Sequence, residues 1–253
     1  MLHSHSLLWH YLWVAPDFLL VVLAFMMWRR GLHRSFPAFF SYAIFEAVGG
    51  GIVYAIDIAP SASGLTYWRS YFLFLVVESL LKFIVVGEVF THLLRGYPPL
   101  GRLARGLTSG VGVVLVFTAT IIAAYANPIS FWLISATNIL GRSVSVVQCG
   151  LILFLFVFAA HFHLRWERPA FGITVGFGIA ASIHLVYWAL AVDWLFKQQS
   201  YLLDFFVMAT FHVCVLIWSY YLLVQKSAAP AAVSLPENTL AIWNQELERL
   251  LQQ

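Results

Sequence analysis

Residues 7–30 read LLWHYLWVAPDFLLVVLAFMMWRR, an apolar run of bilayer length closed by two arginines. A helix rises about 1.5 Å per residue, so roughly 20 apolar residues cross a hydrocarbon core about 30 Å thick. Working outward from Leu7–Trp28, runs of the same kind recur at Phe36–Asp57, Tyr71–Leu94, Leu107–Asn127, Arg142–His163, Gly172–Asp193 and Tyr201–Gln225. The pattern predicts an all-α, polytopic membrane protein, a bundle of seven transmembrane helices.

Composition supports that reading. The 253 residues are 62% hydrophobic and 10% charged, with a mean hydropathy of +0.86, whereas soluble domains are roughly 45–50% apolar and about 25% charged. Beside seven crossings there is no room for a soluble catalytic domain, and the basic residues are too few and too dispersed for a nucleic-acid surface. An outer-membrane barrel would alternate in short segments rather than continue apolar for about 20 residues. Cys149 and Cys214 each stand alone in an apolar run, which gives neither a metal spacing nor a disulfide framework.

Loop charge sets the expected direction. MLHSHS contains no Lys or Arg, while Arg29 and Arg30 follow the first run, as in a retained anchor with its amino end outside. After alternate runs come Arg29, Arg30, Arg34, Arg95, Arg102, Arg105, Arg165, Arg168 and Lys226; the opposite side carries Arg69, Arg142 and Lys197. This asymmetry predicts the amino terminus outside and the carboxyl terminus in the cytoplasm, in a cell inner (cytoplasmic) membrane.

The chain divides into a transmembrane domain over 1–226, a linker over 227–236 (SAAPAAVSLP from Ser227) and an amphipathic cytoplasmic helix over 237–253. In that tail Leu240, Trp243, Leu247 and Leu251 recur at helical spacing and form an apolar stripe. Three Glu against one Arg make it a poor match for anionic lipid, so the stripe is expected to pack on the bundle, on a second copy, or on a membrane-protein partner. The two longest connections, near 58–70 and 128–141, are expected outside, the second as a loop on the rim or an interfacial helix.

Charge in a bilayer interior costs about 2.5–3.5 kcal/mol per residue, so buried polar residues single themselves out. Counted from the same end of the bundle, Glu46 lies 10 residues in from Phe36, Lys82 12 in from Leu94, His184 12 in from Gly172 and His212 13 in from Gln225. Glu78 and Lys82 are four apart and share a helix face. Three readings follow: Glu46, Glu78 and Lys82 line a polar pocket with His184 and His212; Glu78–Lys82 is a buried ion pair that only fixes the packing of the third run; or some of these side chains face lipid near an interface and snorkel. Tyr187 and Trp188 follow His184 on adjoining faces, and Gln148 makes the outer half of the fifth run polar. Arg142 and Asp204 stand at the outer mouth, where their opposite charges could pair although no spacing supports it.

Three classes of function fit. The first is a sensory or scaffold subunit with a polar intramembrane pocket and an assembly tail. The second is a small-molecule transporter; against it, Pro16 and Pro37 fall near the ends of their runs, so no midplane proline breaks a crossing. The third is a haem-binding electron-transfer subunit, with His184 and His212 as the ligands at matched depth. A retinal chromophore would need a lysine in the last run, which has none. The sequence assigns no cofactor and no catalytic residue. Glycines at 49–51 and in GITVGFG at 172–178 are read as small residues that let helices approach closely.

Overall fold

Ser6 opens the first helix, its hydroxyl accepting the Trp9 N–H at 3.3 Å. In this computed structural model the described residues are 6–60, 62–94, 106, 110, 130–194, 202–224, 245 and 248–250. Among them the helices are α1 (Leu7–Arg29), α2 (Leu32–Ser35), α3 (Pro37–Ile58), α4 (Gly64–Leu93), α5 (Ser130–His161), α6 (Arg168–Trp194) and α7 (Leu202–Leu223). Gly31, at φ +72°, takes the left-handed turn that ends α1 and starts α2.

Five of these helices, α1, α3, α5, α6 and α7, are long and apolar enough to cross a membrane. Their outer faces carry Val21, Phe25, Ile52, Leu153, Val157, Val213 and Leu216, all exposed. Apolar surface on this scale is what lipid, rather than water, covers. The protein is a multi-pass, all-helical membrane protein. The run at 107–127 lies outside the described residues, apart from the helical Gly110. Most of the tail, including Leu240, Trp243, Leu247 and Leu251, lies outside them too; Gln245 and 248–250 are helical, and Leu250 is exposed.

The long helices close a ring: α1 packs on α3, α3 on α4, α4 on α5, α5 on α6, α6 on α7 and α7 back on α1, with α4 also touching α6. At its core Phe39 and Tyr42 of α3 meet Phe177 of α6 and Trp218 of α7, with ring centroids 5.3 Å apart for Phe39–Trp218 and 5.0 Å for Tyr42–Phe177. Trp218 donates its indole N–H to the Ile173 carbonyl at 3.3 Å. Glycine makes this approach fit, because a Cβ on Gly172 or Gly176 would run into Tyr221 or Trp218. In α3, Gly49 lies under Phe74 and Gly50 under Asp17, whereas Gly51 faces open space.

Three sequence expectations need correction. The connection at 128–141 is helical from Ser130 and continuous with the fifth crossing. After Pro128 nothing in the segment stops a helix, since Gly141 alone costs only about 1 kcal/mol. The connection at 58–70 likewise gives way to α4 at Gly64, where Ser63 caps the helix by accepting the Thr66 N–H at 3.2 Å. Pro16 lies inside α1, buried, rather than near its end. Having no N–H, it leaves the Leu12 carbonyl without its helical donor, and the helix continues through it.

Candidate functional site

Charged side chains collect in the interior from three helices. Lys82 of α4 pairs with Glu78 one turn earlier, both side chains buried. Glu46, buried on α3, feels the charges of Glu78, Lys82 and Asp17. Asp17 of α1 rests on the backbone of α3, where a Cβ on Gly50 would sit 2.8 Å from its carboxylate. The field of Lys82 also reaches His184 on α6 and Cys214 on α7. Glu46 and Glu78 thus share one ammonium, and a third carboxyl group, Asp17, stands near Glu46.

Low dielectric makes that imbalance consequential. Uncompensated charge in a protein interior costs several kcal/mol, so electroneutrality there calls for protons or for a further cation. The remaining polar atoms are not saturated. Glu46 Oε2, Gln148 Nε2 and His212 Nδ1 are buried with no hydrogen-bond partner among the described residues. Buried polar atoms are nearly always paired, so such atoms mark places where something else binds or where strain is stored.

Not every expected residue joins this cluster. His212 lies beside Tyr11 of α1, ring centroids 5.9 Å apart, and no described contact links it to His184. Tyr187 donates to Asp204 at 3.0 Å, and the carboxylates of Asp57 and Asp204 both act on the Tyr67 phenol. Arg142 is exposed and forms no ion pair with Asp204. Ser143 and Ser145 return their hydroxyls to their own helix, donating to Ile139 and Gly141 at 2.8 Å. The Trp188 side chain lies outside the described residues. Among the described residues no three His, Cys, Asp or Glu side chains converge to hold a metal ion.

Sequence reasoning missed Asp17, although a signal existed. It is the sole carboxylate in the first run and lies 12 residues before Arg29, the depth that singled out Lys82 and His184. Tyr42, one helical turn before Glu46 and buried, was equally unmarked.

The opposite end of the interior is held by structural contacts. Glu88 of α4 accepts the N–H groups of Ala38 and Phe39 at 2.8 and 3.0 Å. His92 places Nδ1 at 3.1 Å from Glu167 and Nε2 at 2.6 Å from the Ser35 carbonyl, and stacks on Phe36. Both nitrogens of that ring are therefore occupied by the protein.

The fold and its interior charges define a class, an all-helical multi-pass membrane protein with an ionisable intramembrane cluster. Comparison with protein families, curated proteins and solved structures finds no match.

Proposed function

We propose that this protein is a membrane-embedded sensory or assembly subunit of seven crossings, with its amino terminus outside and carboxyl terminus in the cytoplasm of a cell inner membrane. Its interior site, built on Asp17, Glu46, Glu78 and Lys82, takes a small ligand that carries a positive charge or donates hydrogen bonds. The observation that carries this reading is the buried Glu46 oxygen with no partner, set near two other carboxyl groups and one ammonium. A hydrogen-bond donor would satisfy that oxygen, and a cationic one would also offset the excess of carboxyl groups. Gln148 and His212 also carry buried unpartnered atoms, but His212 lies apart, beside Tyr11, and is not assigned to this site. The tail stripe of Leu240, Trp243, Leu247 and Leu251 is the proposed contact with a second copy or a partner.

Transport is a second reading, and one observation favours it. Pro16 deletes a backbone hydrogen bond of α1 directly beside Asp17, the kind of local weakness that alternating-access helices use. The haem reading rests on depth alone, since no contact among the described residues brings His184 and His212 together.

The test is mass analysis of protein extracted in mild detergent, together with its Glu46→Gln variant. The wild type should retain a small molecule that the variant loses while helix content stays unchanged. A bare wild type whose thermal stability matches that of Glu46→Gln would overturn the reading.

A further inference from the structure

At the end of the bundle where α1 turns into α2, α6 begins and α7 ends, a cleft of about 230 Å³ opens. Arg30 and Arg168 line it, along with Leu32, Pro169 and Tyr221. Arg30 donates one N–H to the Leu223 carbonyl, and Arg168 donates one to the next carbonyl, Val224, at 2.9 Å. Two guanidinium groups are thus fastened side by side to consecutive carbonyls. The Arg168 group is also held over the rings of Tyr220 and Tyr221, 5.1 and 5.7 Å from their centroids.

Capping α7 uses only part of what these groups offer. A guanidinium carries several N–H donors in a rigid fork suited to a phosphate oxyanion, and each of these two spends one on a carbonyl. Neither meets a carboxylate: among the described residues the ion pairs are Lys82–Glu78 and His92–Glu167. Like charges held together beside a low-dielectric slab repel unless an anion joins them. The cleft lies at a helix end, where Phe25 of α1 and Tyr220 of α7 are exposed on the apolar flank.

We propose that this cleft binds a phosphate oxyanion, and that its source is the headgroup of an anionic phospholipid whose acyl chains run down the apolar flank. This site is separate from the interior carboxylate cluster and does not depend on the reading given for it. Free phosphate shares the oxyanion chemistry but would leave the flanking apolar surface unused.

Native mass spectrometry of the delipidated full chain in mild detergent tests this, titrated in parallel with phosphatidylglycerol, phosphatidylcholine and inorganic phosphate. Phosphatidylglycerol should bind at least tenfold more tightly than phosphatidylcholine. Arg30→Gln and Arg168→Gln should each weaken it at least fivefold, and Arg34→Gln, which alters an arginine outside the cleft, should not. Should either cleft variant fail to fold, the wild type still decides: a soluble short-chain phosphatidylglycerol should displace the long-chain lipid, whereas its phosphatidylcholine counterpart should not. Equal affinity for the two lipids would overturn the proposal, as would equal loss in Arg34→Gln. Binding of inorganic phosphate alone, with no lipid preference, would overturn the lipid source.

Discussion

Glu88 and Ala38 stand 50 residues apart in the chain and are joined by a 2.8 Å hydrogen bond. Glu88 also accepts from Phe39 at 3.0 Å, and Pro37, first in α3, has no N–H to offer. One carboxylate on α4 therefore satisfies the first two donors of α3, where the helix dipole also favours negative charge.

Removing that carboxylate strands two backbone donors. Glu88→Ala should destabilise the bundle by about 2–3 kcal/mol, and Glu88→Gln, which keeps one acceptor, by about half as much. Thermal unfolding in detergent reads both. Equal stability of all three proteins would mean that α3 finds other acceptors at its start.

Glycine substitutions should divide by position. Gly176→Ala drives a methyl into Trp218, which is fixed by Phe39, Tyr42 and Phe177, and should cost about 1–3 kcal/mol. Gly51→Ala meets nothing within 4 Å and should be neutral or up to about 1 kcal/mol stabilising. The contrast between the two melting temperatures is the measurement; equal shifts would contradict the packing described for α6 and α7.

Much of the helical architecture was legible because apolar runs of bilayer length have few other outcomes. The residues 130–141 were not, because periodicity within an apolar segment does not distinguish a rim loop from the first turns of a longer helix. Asn127–Pro128 marked a boundary, and the fold shows the described residues from Ser130 onward to be helical. In the interior, the spacing of Glu78 and Lys82 announced their pairing, since both lie on one helix. Contacts between helices left no such trace. Asp17 meets Gly50 across α1 and α3, and Tyr187, rather than Arg142, meets Asp204; both depend on helix rotation, which uniformly apolar surroundings do not encode.

For the ion pair, Lys82→Met should cost about 3–5 kcal/mol by leaving Glu78 buried without its partner. Combining it with Glu78→Gln should restore most of that stability. If the double variant is as unstable as the single one, Lys82 serves Glu46 or Asp17 more than Glu78. If stability returns while ligand retention does not, the pair belongs to a binding site rather than to packing alone.

The proposed direction of the chain predicts labelling from opposite sides. Ser63→Cys in a background with Cys149 and Cys214 replaced should react with an impermeant maleimide added to intact cells. Gly31→Cys should react only after the membrane is opened. The reverse pattern would invert the topology.

The contact between α1 and α7 carries a consequence for biogenesis. About two thirds of the chain, residues 30–201, separates the two helices, and at about 5–20 residues per second a ribosome needs on the order of 9–34 s to make it. During that interval α1 can pair with α3, but its other flank has only lipid or the insertion machinery for company. A nascent chain halted before α7 would present that open seam, and α6 would present the groove at Gly172 and Gly176 that Tyr221 and Trp218 later fill. Completion of the last helix is then the event that turns an inserted chain into a finished bundle, and the two unfilled glycine notches are what membrane quality control would meet in a chain that stopped short.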